Sequence, residues 1–199
     1  MNMEYTILGN TNIQISKLCV GCMSFGKTGT MHDWTLDETA TEQVVRHALS
    51  LGINFFDTAN GYSAGTSEEY LGRALKKNIS RDQIVIASKV YFNPGRLSGQ
   101  AIHREIDGTL KRLGTDYLDL YIIHRFDYDT PIEETMEALN DLVQAVQLGL
   151  SLAHDKAVHA LSLRGGIICD PLALALRNDN ADKIICFFVV SRRRFLLRV

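Results

Sequence analysis

A chain of 199 residues is long enough to enclose one real hydrophobic core. With a formal charge of −2, its bulk electrostatics suggests neither nucleic acid nor an anionic membrane as partner. Its longest apolar run, residues 184–190, is far too short to span a bilayer. The opening residues MNMEYTILGN carry an acid early and no apolar centre, unlike a secretory signal. The four cysteines are Cys19, Cys22, Cys169 and Cys186. Cys19-Val-Gly-Cys22 has C-x-x-C spacing, but a zinc site wants a second close pair, and none follows. Reduced thiols packing as small hydrophobes in a cytoplasmic protein without metal are therefore expected, with Cys19 inside an apolar run.

Taken in order, residues 5–8 and 13–15 flank the polar turn Gly9-Asn10-Thr11-Asn12 and predict a small hairpin. Residues 18–20 predict a short strand that ends at Gly21-Cys22-Met23. A loop carrying Trp34 leads to Thr35-Leu-Asp-Glu38, the pattern of a capping box. Val44, Val45, Ala48 and Leu49 continue at helical spacing, and Gly52 stops that helix. Residues 53–56 then form an apolar strand that delivers Asp57, with Tyr62 in the loop beyond.

The pattern repeats. Thr66-Ser-Glu-Glu69 is a second capping-box pattern, followed by Tyr70, Leu71, Ala74 and Leu75 on a helix. Residues 84–89 are a β-branched run that ends in Lys89, before a loop with Phe92. Ile102, Ile106, Leu110 and Leu113 share one helical face, closed by Gly114. Residues 117–123 are a strand that ends at His124-Arg125. Thr130-Pro-Ile-Glu133 opens a last helix with a buried stripe of Ile132, Met136, Leu139, Val143 and Val146.

Four strand–helix units in succession, with near-continuous apolar strands, predict an α/β fold with a parallel sheet covered by helices. The first strand lacks G-x-G-x-x-G, which argues against a dinucleotide-binding open sheet. Asp57, Lys89 and His124 each end a different strand, and the strands are consecutive. Barrels gather polar groups at that face, so the expected architecture is a (β/α)8 TIM-barrel type, here incomplete with about four βα units.

The residues that carry these units also carry a resemblance. D-T-A-N-G-Y at 57–62, Ser88-Lys89, L-G-T-D-Y-L-D-L-Y-I-I-H at 113–124 and T-P-I-E-E-T-M-E-A-L at 130–139 occur in order. With them, residues 1 to about 147 resemble an aldo/keto reductase, in wording near the bacterial and fungal aryl-alcohol and hemiacetal-acetate reductase-like branch. The resemblance implies a catalytic tetrad of Asp57, Tyr62, Lys89 and His124 and the cofactor NADPH. It also implies that the turn at Gly21, Cys22 and Met23, with Asp57, approaches the nicotinamide. The substrate implied is a small-molecule carbonyl compound.

The residue types fit that chemistry. Carbonyl reduction needs a hydride at carbon and a proton at oxygen, and no side chain supplies hydride. A free tyrosine ionises near pH ~10, and a neighbouring ammonium favours its phenolate, a role for Lys89. Asp57 would hold Lys89, and His124 would orient the carbonyl. Trp34, Phe92 and Arg125, in loops after strand ends, are expected to line the substrate pocket.

The pattern runs out near residue 147. Residues 150–199 contain no Glu, Tyr, Trp, Met or Thr and hold eight basic side chains against four acids, in a chain whose total is −2. We therefore expect residues 1–147 to be the N-terminal half of a barrel and 148–199 to be a divergent tail, as a frameshift or retained intron near residue 145 would leave. A catalytically inactive half-barrel that at most binds a partner is the alternative to an active reductase. Within the tail, residues 150–163 have a loose helical period, residues 184–190 suit one aggregation-prone strand, and Arg192–Arg194 read as a solvated end.

Overall fold

In a computed structural model of the chain, the structure describes residues 3–8, 11–147, 157–158 and 187–189. It opens with an antiparallel hairpin of β1 (Tyr5–Ile7) and β2 (Gln14–Ser16). Residues 9 and 10 of the expected turn lie outside the described residues. Thr11 closes the turn, donating from its hydroxyl to the Leu8 carbonyl at 2.6 Å.

Four units follow. They are β3 (Val20–Gly21) with α1 (Glu38–Ser50), and β4 (Phe55–Asp57) with α2 (Thr66–Asn78). Next are β5 (Val85–Val90) with α3 (Gly99–Leu113), and the split strand β6 (Tyr117–Leu118) and β7 (Leu120–Ile123) with α4 (Ile132–Gln147). Strands β3, β4, β5 and β7 are neighbours in that order and all parallel. Consecutive parallel neighbours joined by helices are the repeating unit of a (β/α)8 barrel, and four of them make an incomplete one.

Two short strands come from the tail. Phe187–Val189 (β9), inside the segment expected to add a strand, pairs with β7 antiparallel. That direction is opposite to a barrel's next strand, so β9 caps the edge rather than continuing the barrel. Ala157–Val158 (β8) pairs parallel with β6, inside a stretch where a helix was expected. The rest of that stretch, and Arg192–Arg194, lie outside the described residues.

Alternation along the strands sorts the core into two layers. Phe56, Ile86, Val90, Tyr121 and Ile123 join the larger cluster with helix residues Val45, Leu71, Ile102, Ile106 and Leu139. Ala87, Leu120 and Ile122, with Phe55 against them, form a separate small cluster on the other face. A strand's period of two therefore sends Asp57 and Lys89 to the same side as Phe55 and Ala87. The helices pack closely: a Cβ at Gly72 on α2 would overlap the Leu113 backbone of α3.

The helix starts differ from expectation. Asp37, not Thr35, caps α1, accepting from the Ala40 amide at 2.8 Å. Thr66 does not cap α2, whose cap residue is Gly65 in the left-handed region. Its hydroxyl instead donates to Ser63 O at 2.7 Å. Thr130 donates to the Asp127 carboxylate at 2.7 Å. Glu68, inside the second capping-box pattern, is fully buried, accepting from Ser88 Oγ at 2.5 Å and from Arg112 Nε at 2.6 Å.

Other differences have similarly local causes. The strand expected over residues 117–123 breaks at Asp119, whose carboxylate accepts from the Ile86 amide at 2.9 Å and from Arg81 at 2.5 Å. The buried face of α4 runs through Thr135, Ala138, Leu139 and Leu142, with Met136 packed beside it. The side chains of Val143 and Val146 lie outside the described residues. Cys22, rather than Cys19, is the cysteine that packs as a core hydrophobe, since Cys19 is exposed.

Candidate active site

Register brings the strand-end residues together. Gly21 lies beside Asp57 across β3 and β4, and Asp57 lies beside Ala87 on β5. Lys89 is two residues further along β5 on the same face. The His124 amide donates to Val90 O at 3.0 Å, which holds the end of β7 against the end of β5.

Lys89 is the hub. Its Nζ forms an ion pair with Asp57 Oδ1, donates to Thr58 O at 2.8 Å and reaches Tyr62 Oη at 3.4 Å. The side chain is largely buried, 12% exposed, so a buried ammonium is satisfied by one carboxylate, one carbonyl and one phenol. The His124 ring meets the Tyr62 ring edge-on at 5.6 Å. Burial pushes the His124 imidazole down to about 4, helped by the positive charges of Lys89 and Arg125. It is therefore neutral through the physiological range. His124 Nδ1 is buried with no partner among the described residues.

Tyr62 is held by a tight turn. Ser63, Ala64 and Gly65 after it all have positive φ, at 47°, 54° and 89°. Two non-glycine residues in that region cost energy, so something must hold them. Ser63 Oγ donates to Phe25 O at 3.1 Å, and Thr66 Oγ1 accepts from the Lys27 amide at 2.9 Å. Asn60, just before the turn, donates to Asn93 Oδ1 in the next loop at 3.0 Å and to Glu105 Oε2 on α3 at 3.1 Å. Sequence reasoning missed Thr58, Asn60 and Ser63. Only their place inside or beside the D-T-A-N-G-Y run pointed to them.

The expected pocket residues separate. Phe92 meets His124 edge-on at 4.9 Å, and the Arg125 guanidinium sits over Phe92 at 5.0 Å. Trp34 is exposed, and its ring contact is a stack on His32 at 4.5 Å. The structure thus joins Phe92 and Arg125 to the tetrad and does not bring Trp34 to it.

The turn after β3 separates too. A Cβ at Gly21 would meet no atom within 4 Å, and Met23 is exposed. The Gly21 backbone is extended, so no turn demands glycine there. Open space beside Asp57 on the rim fits close approach by a flat ring such as nicotinamide. Cys22 is instead committed to the fold: its thiol donates to Val20 O at 3.4 Å, and its carbonyl accepts from Ser67 Oγ at 2.7 Å. Burial pushes its thiol well above the ordinary range. No cluster among the described residues has the ligands for a metal. No helix among them is long and apolar enough to cross a membrane.

Parallel strands that bring an acid, an amine and an imidazole to one rim, with a phenol from the adjoining turn, define a (β/α)8-type protein with four titratable groups gathered at its strand ends. The chain belongs to the aldo/keto reductase family, whose family profile matches residues 17–157. It is 40% identical over 167 residues to versiconal hemiacetal acetate reductase of Aspergillus parasiticus, covering 72% of this chain and 48% of that protein. Among solved structures it is similar to the holo form of aldo-keto reductase AKR11C1 from Bacillus halodurans, with TM-score 0.61 and 37% identity over 72% of this chain and 47% of that one. It is also similar to the thermostable aldo-keto reductase Tm1743 in complex with the inhibitor epalrestat, with TM-score 0.63 and 35% identity over 72% of this chain and 50% of that one. The chain spans about half the length of the curated relatives it matches.

Proposed function

We propose that the chain reduces an aldehyde or ketone to the alcohol with NADPH, and that Asp57, Tyr62, Lys89 and His124 carry the proton chemistry. The supporting observation is Lys89, whose ammonium contacts Asp57, Thr58 O and Tyr62 Oη together. A bound nicotinamide supplies the hydride that reaches the carbonyl carbon. Tyr62 gives its hydroxyl proton to the carbonyl oxygen, and the phenolate left behind is stabilised by Lys89. Asp57 compensates the lysine charge and fixes its direction. His124, being neutral, can donate an N–H to the carbonyl oxygen without adding charge, which orients the substrate for attack. Gly21 and Met23 are the residues of this chain that would border the ring of the cofactor.

One observation favours a second reading. The chain spans about half of its curated relatives, and the far side of the barrel would provide the remaining walls of a cofactor site. On that reading it is a catalytically inactive half-barrel that at most binds a partner. Titrating the purified chain against NADPH fluorescence separates the two. Saturable binding, weaker for NADH, supports the reductase. No binding at millimolar cofactor supports the inactive half-barrel.

A further inference from the structure

Cations in this structure are mostly spoken for. Arg73, Arg81, Arg96, Arg104 and Arg112 each hold a carboxylate within 4 Å, and Lys89 holds Asp57. Arg125, like Lys27, Arg46, Lys76 and Lys111, is not among these, and what sets it apart is its place beside His124. It makes no hydrogen bond and no ion pair with any described residue, yet its guanidinium is not loose: it sits over the Phe92 ring at 5.0 Å. Phe92 in turn meets the His124 ring at 4.9 Å. A cation resting on an aromatic ring is attracted by the ring's electrons and spends no N–H donor on it. Arg125 therefore presents an exposed, unpaired fork of N–H groups, resting on one aromatic ring that itself meets the imidazole.

A guanidinium matches a carboxylate in charge and in planar, two-pronged geometry. Phe92, exposed and edge-on to His124, supplies the apolar wall between the two polar points. We propose that Arg125 is a specificity-determining anion site, selecting carbonyl substrates that carry a carboxylate about one aromatic ring away from the reacting carbonyl. The proposal rests on the reductase reading and adds the substrate's charge to it. The carbonyl oxygen goes to His124 and Tyr62, the intervening ring or chain lies along Phe92, and the carboxylate meets Arg125. No acid of the protein among the described residues has to be displaced first, so the substrate's charge meets a partner that has no competitor.

The test compares benzaldehyde with 4-carboxybenzaldehyde in the wild-type chain and in Arg125→Met, following NADPH oxidation. The wild type is expected to favour the carboxylated aldehyde, and the ratio of the two kcat/KM values is expected to fall about fivefold in the variant, the scale of one rim-exposed ion pair. Arg125→Lys should keep part of that preference. An unchanged ratio in Arg125→Met overturns the proposal. A second arm needs no turnover: binding of 4-(hydroxymethyl)benzoate is compared with that of benzyl alcohol by ligand-observed NMR. The carboxylate should bind more tightly in the wild type and lose that advantage in the variant. Equal binding in the wild type overturns the proposal. Absence of turnover with the binding preference intact contradicts the reductase reading alone. Loss of NADPH affinity relative to NADH in Arg125→Met, with the carboxylate preference intact, assigns Arg125 to a cofactor phosphate and also overturns it.

Discussion

Ser88 and Lys89 are neighbours on β5 and belong to two different worlds. Ser88 faces the helices, where its hydroxyl donates to a fully buried Glu68 whose other oxygen takes Arg112. Lys89 faces the inside of the barrel, where its ammonium meets Asp57, Thr58 O and Tyr62. Both are part-buried ion-pair networks. The outer one is closed, with each Glu68 oxygen matched by a protein donor. The inner one is open: among the described residues His124 Nδ1 has no partner, and none has an atom within 4 Å of a Cβ placed at Gly21. A closed network describes a joint between elements. An open one describes a place where something else completes the set.

The sharpest way to break the outer network is Glu68→Ala. It strands a partly buried guanidinium and leaves Ser88 unsatisfied, so stability should fall by about 3–5 kcal/mol in denaturant unfolding. A loss below about 1 kcal/mol would show that α2, β5 and α3 do not depend on that joint.

His124 gives a pH signature of the inner region. Its folded value is about 4, and an unfolded histidine titrates near ~6.5. Between those values the unfolded chain binds the extra proton, so stability rises with pH and is lost as pH falls from about 6.5 towards 4. His124→Asn should flatten that part of the melting-temperature profile. The same slope in the variant would mean that another group sets it.

The smallest expected effect comes from Tyr121. Its hydroxyl is buried on the helix side without a partner among the described residues, and burial pushes its phenol well above the ordinary range. Tyr121→Phe removes an unmatched polar atom at little cost in volume, so stability should hold or rise by up to about 1 kcal/mol. A loss of 2 kcal/mol or more in denaturant unfolding would point to a partner for that hydroxyl.

What was legible in the sequence follows the same division. Asp57, Lys89 and His124 stood out because each ends an apolar run, and the period of a strand then fixes a common face. Tyr62 needed the family wording, since a loop aromatic has no periodicity to betray it. The three threonine starts, Thr35, Thr66 and Thr130, misled because a capping box is a local pattern. Thr66 and Thr130 instead serve Ser63 O and Asp127, while Thr35 donates to His32 O at 3.4 Å. Glu68 and Asp119 were invisible for a related reason. Arg112 lies 44 residues after Glu68, and Arg81 lies 38 residues before Asp119, so no local window contains either pair.

Tyr62 and Tyr121 also provide the matched experiment on the central claim. Turnover of an aldehyde with NADPH should vanish in Tyr62→Phe, while NADPH binding and the melting temperature stay at wild-type values. Aldehyde reduction at the wild-type rate in Tyr62→Phe would contradict the assignment of the inner network to proton transfer.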